Sequence, residues 1–179
     1  MPPQTDVHSF LFADIVGFTA LMSARGDEFG ADMALDLQHA ARFLALECGA
    51  DFVKGMGDAV MVHGDDAGQT VCLGLRLVDE LLAEDPGRLL RVGVHTGPAI
   101  AREGDWYGTT VNLAARLAAH ARGGEVLISD TTYRSIAATG ALDLVNRGSW
   151  CARGARSHIQ IFEARSTSGR ESGLVATAV

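Results

Sequence analysis

The sequence is poor in lysine and in positive charge overall. Only Lys54 among its 15 basic residues is a lysine, and 22 acidic residues outnumber them, so the formal charge is −7. This sign argues against a general nucleic-acid-binding protein, because such proteins gain most of their affinity by neutralising phosphates. A small anionic ligand remains compatible with it, since a few cations or a metal ion reverse the field locally.

Cysteines are also few, and they are irregularly spaced. Cys48, Cys72 and Cys151 form no CxxC pair and lie in apolar stretches, so we interpret them as small buried apolar side chains. Cysteines that serve as apolar side chains and show no CxxC spacing predict a reducing, cytoplasmic setting.

Long apolar runs are absent as well. None approaches the roughly 20 residues of a membrane-spanning helix, and no basic segment precedes an apolar one at the N-terminus. We therefore expect neither a membrane span nor a signal peptide.

What is present is an ordinary globular composition. The chain has 179 residues, 47% of them apolar and 21% charged, which predicts one domain with a conventional core. We place an N-terminal segment at 1–6, the folded domain at 7–164 and a Ser-, Gly- and Thr-rich tail, expected to be disordered, at 165–179.

Hydrophobic patterning predicts an α+β fold. Short apolar runs indicate strands, and apolar residues at steps of three and four indicate helices. The strands lie at 8–15, 51–56, 59–63 and 89–95, with helices at 29–48 and 65–85. This βαββαβ order is that of the ferredoxin-like fold, with helices expected on one face of a largely antiparallel sheet.

The C-terminal half predicts smaller αβ additions. We expect residues 98–101 to begin the hairpin partner of strand 89–95. Short helices at 110–121 and 131–137, a strand at 126–129 and two or three antiparallel strands within 141–164 follow.

Two aspartates are candidate metal ligands. Asp14 ends the first strand and Asp58 lies in the hairpin turn, and these elements are neighbours in a βαββαβ sheet. Two close carboxylates repel unless a cation lies between them, and Mg²⁺ prefers such oxygens. Taken singly, Asp58 is better explained as a turn former and Asp14 as a helix cap.

The turn after Asp14 is a candidate phosphate site. Residues 16–19 connect a strand to a helix, where backbone N–H groups and the helix dipole favour an anion. Gly17 permits close approach because it has no side chain. The alternative is an ordinary helix start capped by Thr19.

Three motifs, in the same order, resemble class III adenylate and guanylate cyclase catalytic domains. The segment FADIVGFT at 12–19 matches F-x-D-I-x-G-F-T, and KGMGD at 54–58 matches K-x-x-G-D. The segment DWYGTTVNLAARL at 105–117 matches D-x-x-G-x-x-V-N-x-A-x-R. The resemblance covers about residues 7–164, which would form the catalytic domain.

The resemblance implies a metal and phosphate site. Asp14, Asp58 and the Ile15 carbonyl would hold two divalent cations, Mg²⁺ or Mn²⁺, for in-line displacement. Gly17, Phe18 and Thr19 would contact the phosphates of the substrate.

It also implies residues for the nucleoside and the transition state. Lys54 would donate to adenine N1 and Asp105 would accept from the N6 amine, whereas guanine presents the opposite pattern. Asn112 would orient the ribose, and Arg116 would stabilise charge at the α-phosphate. This set predicts an adenylate cyclase that converts ATP to 3′,5′-cyclic AMP and pyrophosphate.

The chain departs from the family pattern at one position. Many members carry Lys-Gly before the last strand to bind the terminal phosphates, whereas this chain has Arg153-Gly154, with Arg156 as a rival candidate for that role.

The resemblance also implies a dimer, because the family forms its sites between two catalytic domains. Because this chain carries both halves, a homodimer with two equivalent sites is implied, with a regulatory domain or protein outside this chain.

Other functions remain open on these residues. They are a catalytically weak, nucleotide-binding regulatory module, a guanylate or dual-specificity cyclase, and a diguanylate cyclase or polymerase palm. The six histidines show no shared metal spacing. We interpret His95 as a hydrogen-bonded core residue, and Trp106 and Tyr107 as packing or interface residues.

Overall fold

The computed structural model describes residues 6–152 and 157–166. Its strands are β1 Val7–Ile15, β2 Asp51–Met56, β3 Ala59–Gly64, β4 Leu90–Pro98, β5 Ile100–Arg102, β6 Asp105–Tyr107, β7 Val126–Ser129, β8 Asp143–Trp150 and β9 Ile159–Arg165. Its helices are α1 Phe18–Arg25, α2 Asp27–Glu47, α3 Ala67–Glu84, α4 Thr109–His120 and α5 Asp130–Ile136, and a 3₁₀ turn spans Ala137–Thr139.

Seven strands form one sheet in the order β2-β3-β1-β4-β7-β9-β8. Its first four members have the strand order of the ferredoxin-like fold, and each pairs antiparallel with its neighbour. The predicted βαββαβ core is therefore confirmed. The C-terminal addition joins through a parallel β4–β7 pair and continues with antiparallel β9 and β8.

Alternating residues of β1 face two different layers. Leu11, Ala13 and Ile15 are buried in the cluster that also contains the apolar faces of α2 and α3. Phe10 belongs to a second cluster, with Val111 of α4. The period of two that defines a strand places these sets on opposite faces. The expectation that helices cover only one face is therefore wrong, because α4 packs against the other.

Helix α4 lies directly on strand β4, and a glycine makes this possible. A Cβ built on Gly93 would stand 2.2 Å from the Ala118 nitrogen and 2.6 Å from the Ala114 carbonyl oxygen. These are backbone atoms, which cannot move aside without shifting the helix. Gly93 therefore sets the distance between α4 and the sheet.

A separate two-stranded ribbon precedes α4. Strands β5 and β6 pair with each other, Ile100 opposite Tyr107 and Arg102 opposite Asp105. The expectation that residues 98–101 begin a partner of β4 is wrong, because β4 already lies between β1 and β7.

The burial of the cysteines differs from the prediction. Cys48 and Cys72 are partly buried, but Cys151 is exposed, so the interpretation of all three as buried fails for Cys151.

Among the described residues, no helix is both long enough and apolar enough to traverse a lipid bilayer.

Candidate active site

Lys54 and Asp105, far apart in the sequence, meet as a partly exposed ion pair. The Lys54 Nζ donates to Asp105 Oδ2, and the Trp106 amide donates to Asp105 Oδ1 at 2.8 Å. The hydrogen bond from Lys54, and after it that from Trp106, lowers the pKa of Asp105. Asp105 is therefore held as an ionised acceptor beside a cation.

Asp14 and Asp58 lie at one end of the sheet. Asp14 is paired with Ala59, the residue after Asp58, in the β1–β3 register. The Ile15 amide donates to the Asp58 carbonyl oxygen at 3.1 Å, which fixes the β2–β3 turn against the end of β1. The two predicted metal ligands and Ile15 are thus brought together by strand pairing.

Asp14 has a cationic partner that sequence reasoning missed. Arg91 lies opposite Asp14 in the β1–β4 register and donates to its Oδ2 from Nη2 at 2.7 Å and from Nε at 3.1 Å. An arginine between Leu90 and Val92 in a strand was the available signal, but only the register shows which carboxylate it meets.

The other oxygen of Asp14 fits a cation site. Asp14 Oδ1 is buried and has no hydrogen-bond partner among the described residues. A buried polar atom without a partner is costly, and a divalent cation shared with half-buried Asp58 would satisfy it. The donor set is made of hard oxygens, which suits Mg²⁺ or Mn²⁺.

The turn after β1 leaves the start of α1 without a side-chain cap. Gly17 is the residue before the helix, with φ +70°, and no side chain there accepts a backbone hydrogen bond. The alternative that Thr19 caps this helix is therefore wrong. The first-turn amides at Phe18 and Thr19 lack intrahelical acceptors, as at any helix start, and are available to an anion.

Asn112 and Arg116 are exposed on α4, one turn apart. The opposite side of the helix is buried and includes Val111, Ala114 and Leu117. The hydroxyl of Thr110 donates to the Pro98 carbonyl oxygen at 2.5 Å and ties the start of α4 to the end of β4. Both predicted residues are therefore presented outward on a fixed helix.

The residues predicted to bind the terminal phosphates are two arginines that precede β9. Arg153 and Arg156 lie outside the described residues. Most of the predicted tail, from 167 onward, lies outside them as well.

Comparison with known proteins now identifies the family. Residues 1–163 match the family model for the adenylate and guanylate cyclase catalytic domain. The chain belongs to this family. The motifs that carry the resemblance are therefore those of a cyclase catalytic domain, and the sheet that positions them is the cyclase fold.

Individual cyclases show the same likeness. The chain is 34% identical over 157 residues to a pH-sensitive adenylate cyclase of Mycobacterium tuberculosis, covering 86% of this chain and 39% of that protein. An adenylate cyclase of Streptomyces griseus is 38% identical over 117 residues, 65% of this chain and 29% of that protein. The chain thus spans about a third of the length of these relatives.

A solved cyclase structure has the same architecture. The adenylyl cyclase CyaB from P. aeruginosa superposes with a TM-score of 0.78 at 25% identity, covering 90% of this chain and 94% of that one. The fold of this chain is therefore that of a class III cyclase catalytic domain.

Proposed function

We propose that this cyclase domain is an adenylate cyclase that converts ATP to 3′,5′-cyclic AMP and pyrophosphate. The ribose 3′-oxygen attacks the α-phosphorus and loses its proton, while the bond from the α-phosphorus to the bridging oxygen of pyrophosphate breaks. The observation that supports this substrate is the Lys54–Asp105 ion pair, because its donor and acceptor complement adenine.

The pair reads the base through opposite hydrogen-bonding groups. Lys54 carries three N–H donors and directs one to Asp105, so others remain for the unprotonated N1 of adenine. Asp105 accepts hydrogen bonds only, which suits the N6 amine. Guanine offers N1–H and O6 instead, so donors would face donors and acceptors would face acceptors.

Two residues of α4 act on the sugar and the reacting phosphate. Asn112 orients the ribose so that its 3′-oxygen points at the α-phosphorus. Arg116, one turn later on the same side of the helix, presents a guanidinium to the charge that develops on the α-phosphate oxygens.

The acidic end of the sheet would hold the divalent cations. Asp14, Asp58 and the Ile15 carbonyl would hold two, Mg²⁺ or Mn²⁺, with Arg91 fixing one oxygen of Asp14. When bound, such ions activate the 3′-hydroxyl and neutralise the triphosphate. The amides after Gly17 bind phosphate oxygens, and Arg153 or Arg156 would bind the terminal phosphates.

The active unit is proposed to be a homodimer with two shared sites. One subunit would supply Asp14 and Asp58, and the other Lys54, Asp105 and Arg116. Apolar side chains beside the Lys54–Asp105 pair support such a contact: Ile100 and Tyr107, paired across the β5–β6 ribbon, are 59% and 54% exposed. Exposed apolar surface of this kind is typical of an interface.

The cysteines and the length of the relatives bear on location and regulation. The free thiols of Cys48 and Cys72 support a cytoplasmic location, where ATP is available. Because the chain spans about a third of its curated relatives, we expect control to come from a domain or protein outside it.

The test is a product assay on the purified chain. Incubation with ATP or with GTP in the presence of Mn²⁺ should yield cyclic AMP but little cyclic GMP. Asp58→Ala should reduce the product to background, whereas Asp32→Ala, at an exposed position of α2, should leave it unchanged.

Two outcomes would overturn the proposal. Cyclic GMP as the main product would indicate a guanylate cyclase. Nucleotide binding without turnover, in a chain shown to be dimeric, would indicate a regulatory module.

A further inference from the structure

Two histidines and an aspartate converge at the end of the sheet opposite Asp14. His8 lies near the start of β1, His63 near the end of β3, and Asp65 immediately after β3. The His63 Nε2 is 3.0 Å from His8 Nδ1 and 3.4 Å from Asp65 Oδ1, and His8 Nδ1 is 3.1 Å from Asp65 Oδ1. His8 and Asp14 are six residues apart on one strand, about 20 Å, so this cluster is separate from the proposed cation site at Asp14 and Asp58.

We propose that His8, His63 and Asp65 bind a divalent transition metal of the zinc type. Three ligand atoms held about 2.0–2.1 Å from one ion at tetrahedral angles lie roughly 3.3 Å from one another. The three measured separations, 3.0, 3.1 and 3.4 Å, match that triangle. Two imidazoles with one carboxylate form a ligand set that suits Zn²⁺, whereas Mg²⁺ prefers oxygens alone.

A fourth polar residue orients one of the imidazoles. Asp51, at the start of β2, has its Oδ2 3.3 Å from His63 Nδ1. This carboxylate favours the proton on Nδ1, so the lone pair of Nε2 points into the cluster. A carboxylate behind a histidine ligand is the usual outer shell of a protein zinc site.

Burial fixes the imidazoles and leaves one side open. The His63 and His8 side chains are 6% and 15% exposed, whereas Asp65 is 82% exposed. Trp106 stacks on His63 with ring centroids 4.3 Å apart, and its ring lies 4.4 Å from His8. The ion would therefore enter past Asp65, and a water molecule would complete the tetrahedron from that side.

Position along the chain gave no indication of this site. His8 and His63 are 55 residues apart and meet only because β1 pairs with β3. The site does not depend on the proposed cyclase activity. It touches the active site through Trp106, whose ring contacts the histidines and whose amide holds Asp105.

The test measures metal binding to the intact chain without nucleotide. Calorimetric titration with Zn²⁺ should give one site per chain, and Co²⁺ should give the intense visible absorption of a tetrahedral complex. Asp65→Asn should weaken Zn²⁺ binding by at least about tenfold, and Asp51→Asn by about 10- to 100-fold. Asp65 is largely exposed, so its variant should keep the parent unfolding midpoint.

Matched variants separate this site from other carboxylates. Asp32→Asn, exposed on α2, and Asp58→Asn, in the proposed catalytic site, should both keep full Zn²⁺ affinity at His8 and His63. Loss of binding in Asp58→Asn but not in Asp65→Asn would overturn the proposal, as would equal affinity in all four variants. A weak Co²⁺ spectrum typical of six-coordination would also overturn the proposal. It would mean that the three side chains do not bind the ion as a tetrahedral set and are held together by hydrogen bonds alone.

Discussion

At the scale of single residues, the site depends on charges that neutralise one another before substrate arrives. Lys54 holds Asp105 ionised, and Arg91 holds one oxygen of Asp14. In both pairs one partner still has hydrogen-bonding capacity: Lys54 has further N–H donors, and Asp14 Oδ1 has no partner among the described residues. Each pair is therefore oriented and yet able to bind a ligand.

Base recognition gives the first prediction. Asp105→Asn should lower kcat/KM for ATP by about 10- to 150-fold, the equivalent of one hydrogen bond to a charged group. Lys54→Glu combined with Asp105→Cys should shift the preference towards GTP, because Glu accepts from the N1–H of guanine. The measurement is the ratio of cyclic AMP to cyclic GMP formed from each nucleotide, with Asp32→Asn as control. An unchanged ratio in the double variant would remove this pair from base selection.

His95 gives a pH prediction. Its Nδ1 lies 2.7 Å from the Ser129 hydroxyl, and burial lowers its pKa from 6.5 to about 4. At a pH between these two pKa values, His95 binds more protons in the unfolded chain than in the folded one. The free energy of unfolding therefore falls as the pH falls. We expect a loss of about 1.5 kcal/mol between pH 6.5 and pH 5 from this residue.

Urea unfolding at several pH values tests this expectation. His95→Gln should flatten the dependence over that interval, whereas His39→Gln, at an exposed position of α2, should leave it as in the parent chain. The same slope in all three proteins would show that His95 does not titrate on unfolding.

At the scale of elements, the contact between β4 and α4 positions the helix that carries the proposed catalytic residues. Gly93 allows backbone-to-backbone contact there, and α4 carries Asn112 and Arg116 on its outer side. Any added atom at residue 93 must push the helix from the sheet, so stability and activity should change together.

Gly93→Ala should therefore destabilise the fold by about 1–3 kcal/mol, the range for overpacked cores, and reduce turnover. Gly68→Ala in α3 is the matched control, because its Cβ would meet a side-chain oxygen of Asp66 at 3.2 Å and no backbone atom outside its own helix within 4 Å. That oxygen accepts the capping hydrogen bond from the Gln69 amide, and the cost of displacing it is offset by the greater helix propensity of alanine, so this control should shift the midpoint less than Gly93→Ala. Chemical unfolding midpoints measure both, and equal midpoints would contradict the packing argument.

Elements also show how far the sequence could be interpreted. Strands β1 to β4 were predictable because their apolar runs and tight turns are local signals. The burial of both sheet faces was not, since the periodicity of α4 shows an apolar side but not the surface it meets. The contacts of Arg91 with Asp14 and of His8 with His63 depend on which residues of neighbouring strands lie opposite each other. A motif within one segment of the sequence does not show this register.

At the scale of the whole molecule, the proposed sharing of each site between two subunits gives a prediction for mixed dimers. Asp14→Ala and Arg116→Ala should each be inactive alone. Mixed dimers should recover up to about one quarter of the parent activity after random exchange, because half of the dimers are mixed and each has one intact site of two. Cyclic AMP formation after mixing measures this recovery, and verified mixed dimers without activity would place each site within one subunit.

The Arg91–Asp14 ion pair has a consequence for the protein without divalent ions. The Arg91 guanidinium already offsets the charge of Asp14. Removal of divalent ions therefore leaves less repulsion between Asp14 and Asp58 than two unpaired aspartates would produce. Exhaustive dialysis against EDTA should thus abolish turnover while the thermal unfolding midpoint stays within a few degrees of the parent value. Loss of divalent ions would then inactivate the enzyme reversibly, and adding Mg²⁺ or Mn²⁺ back would restore turnover without refolding.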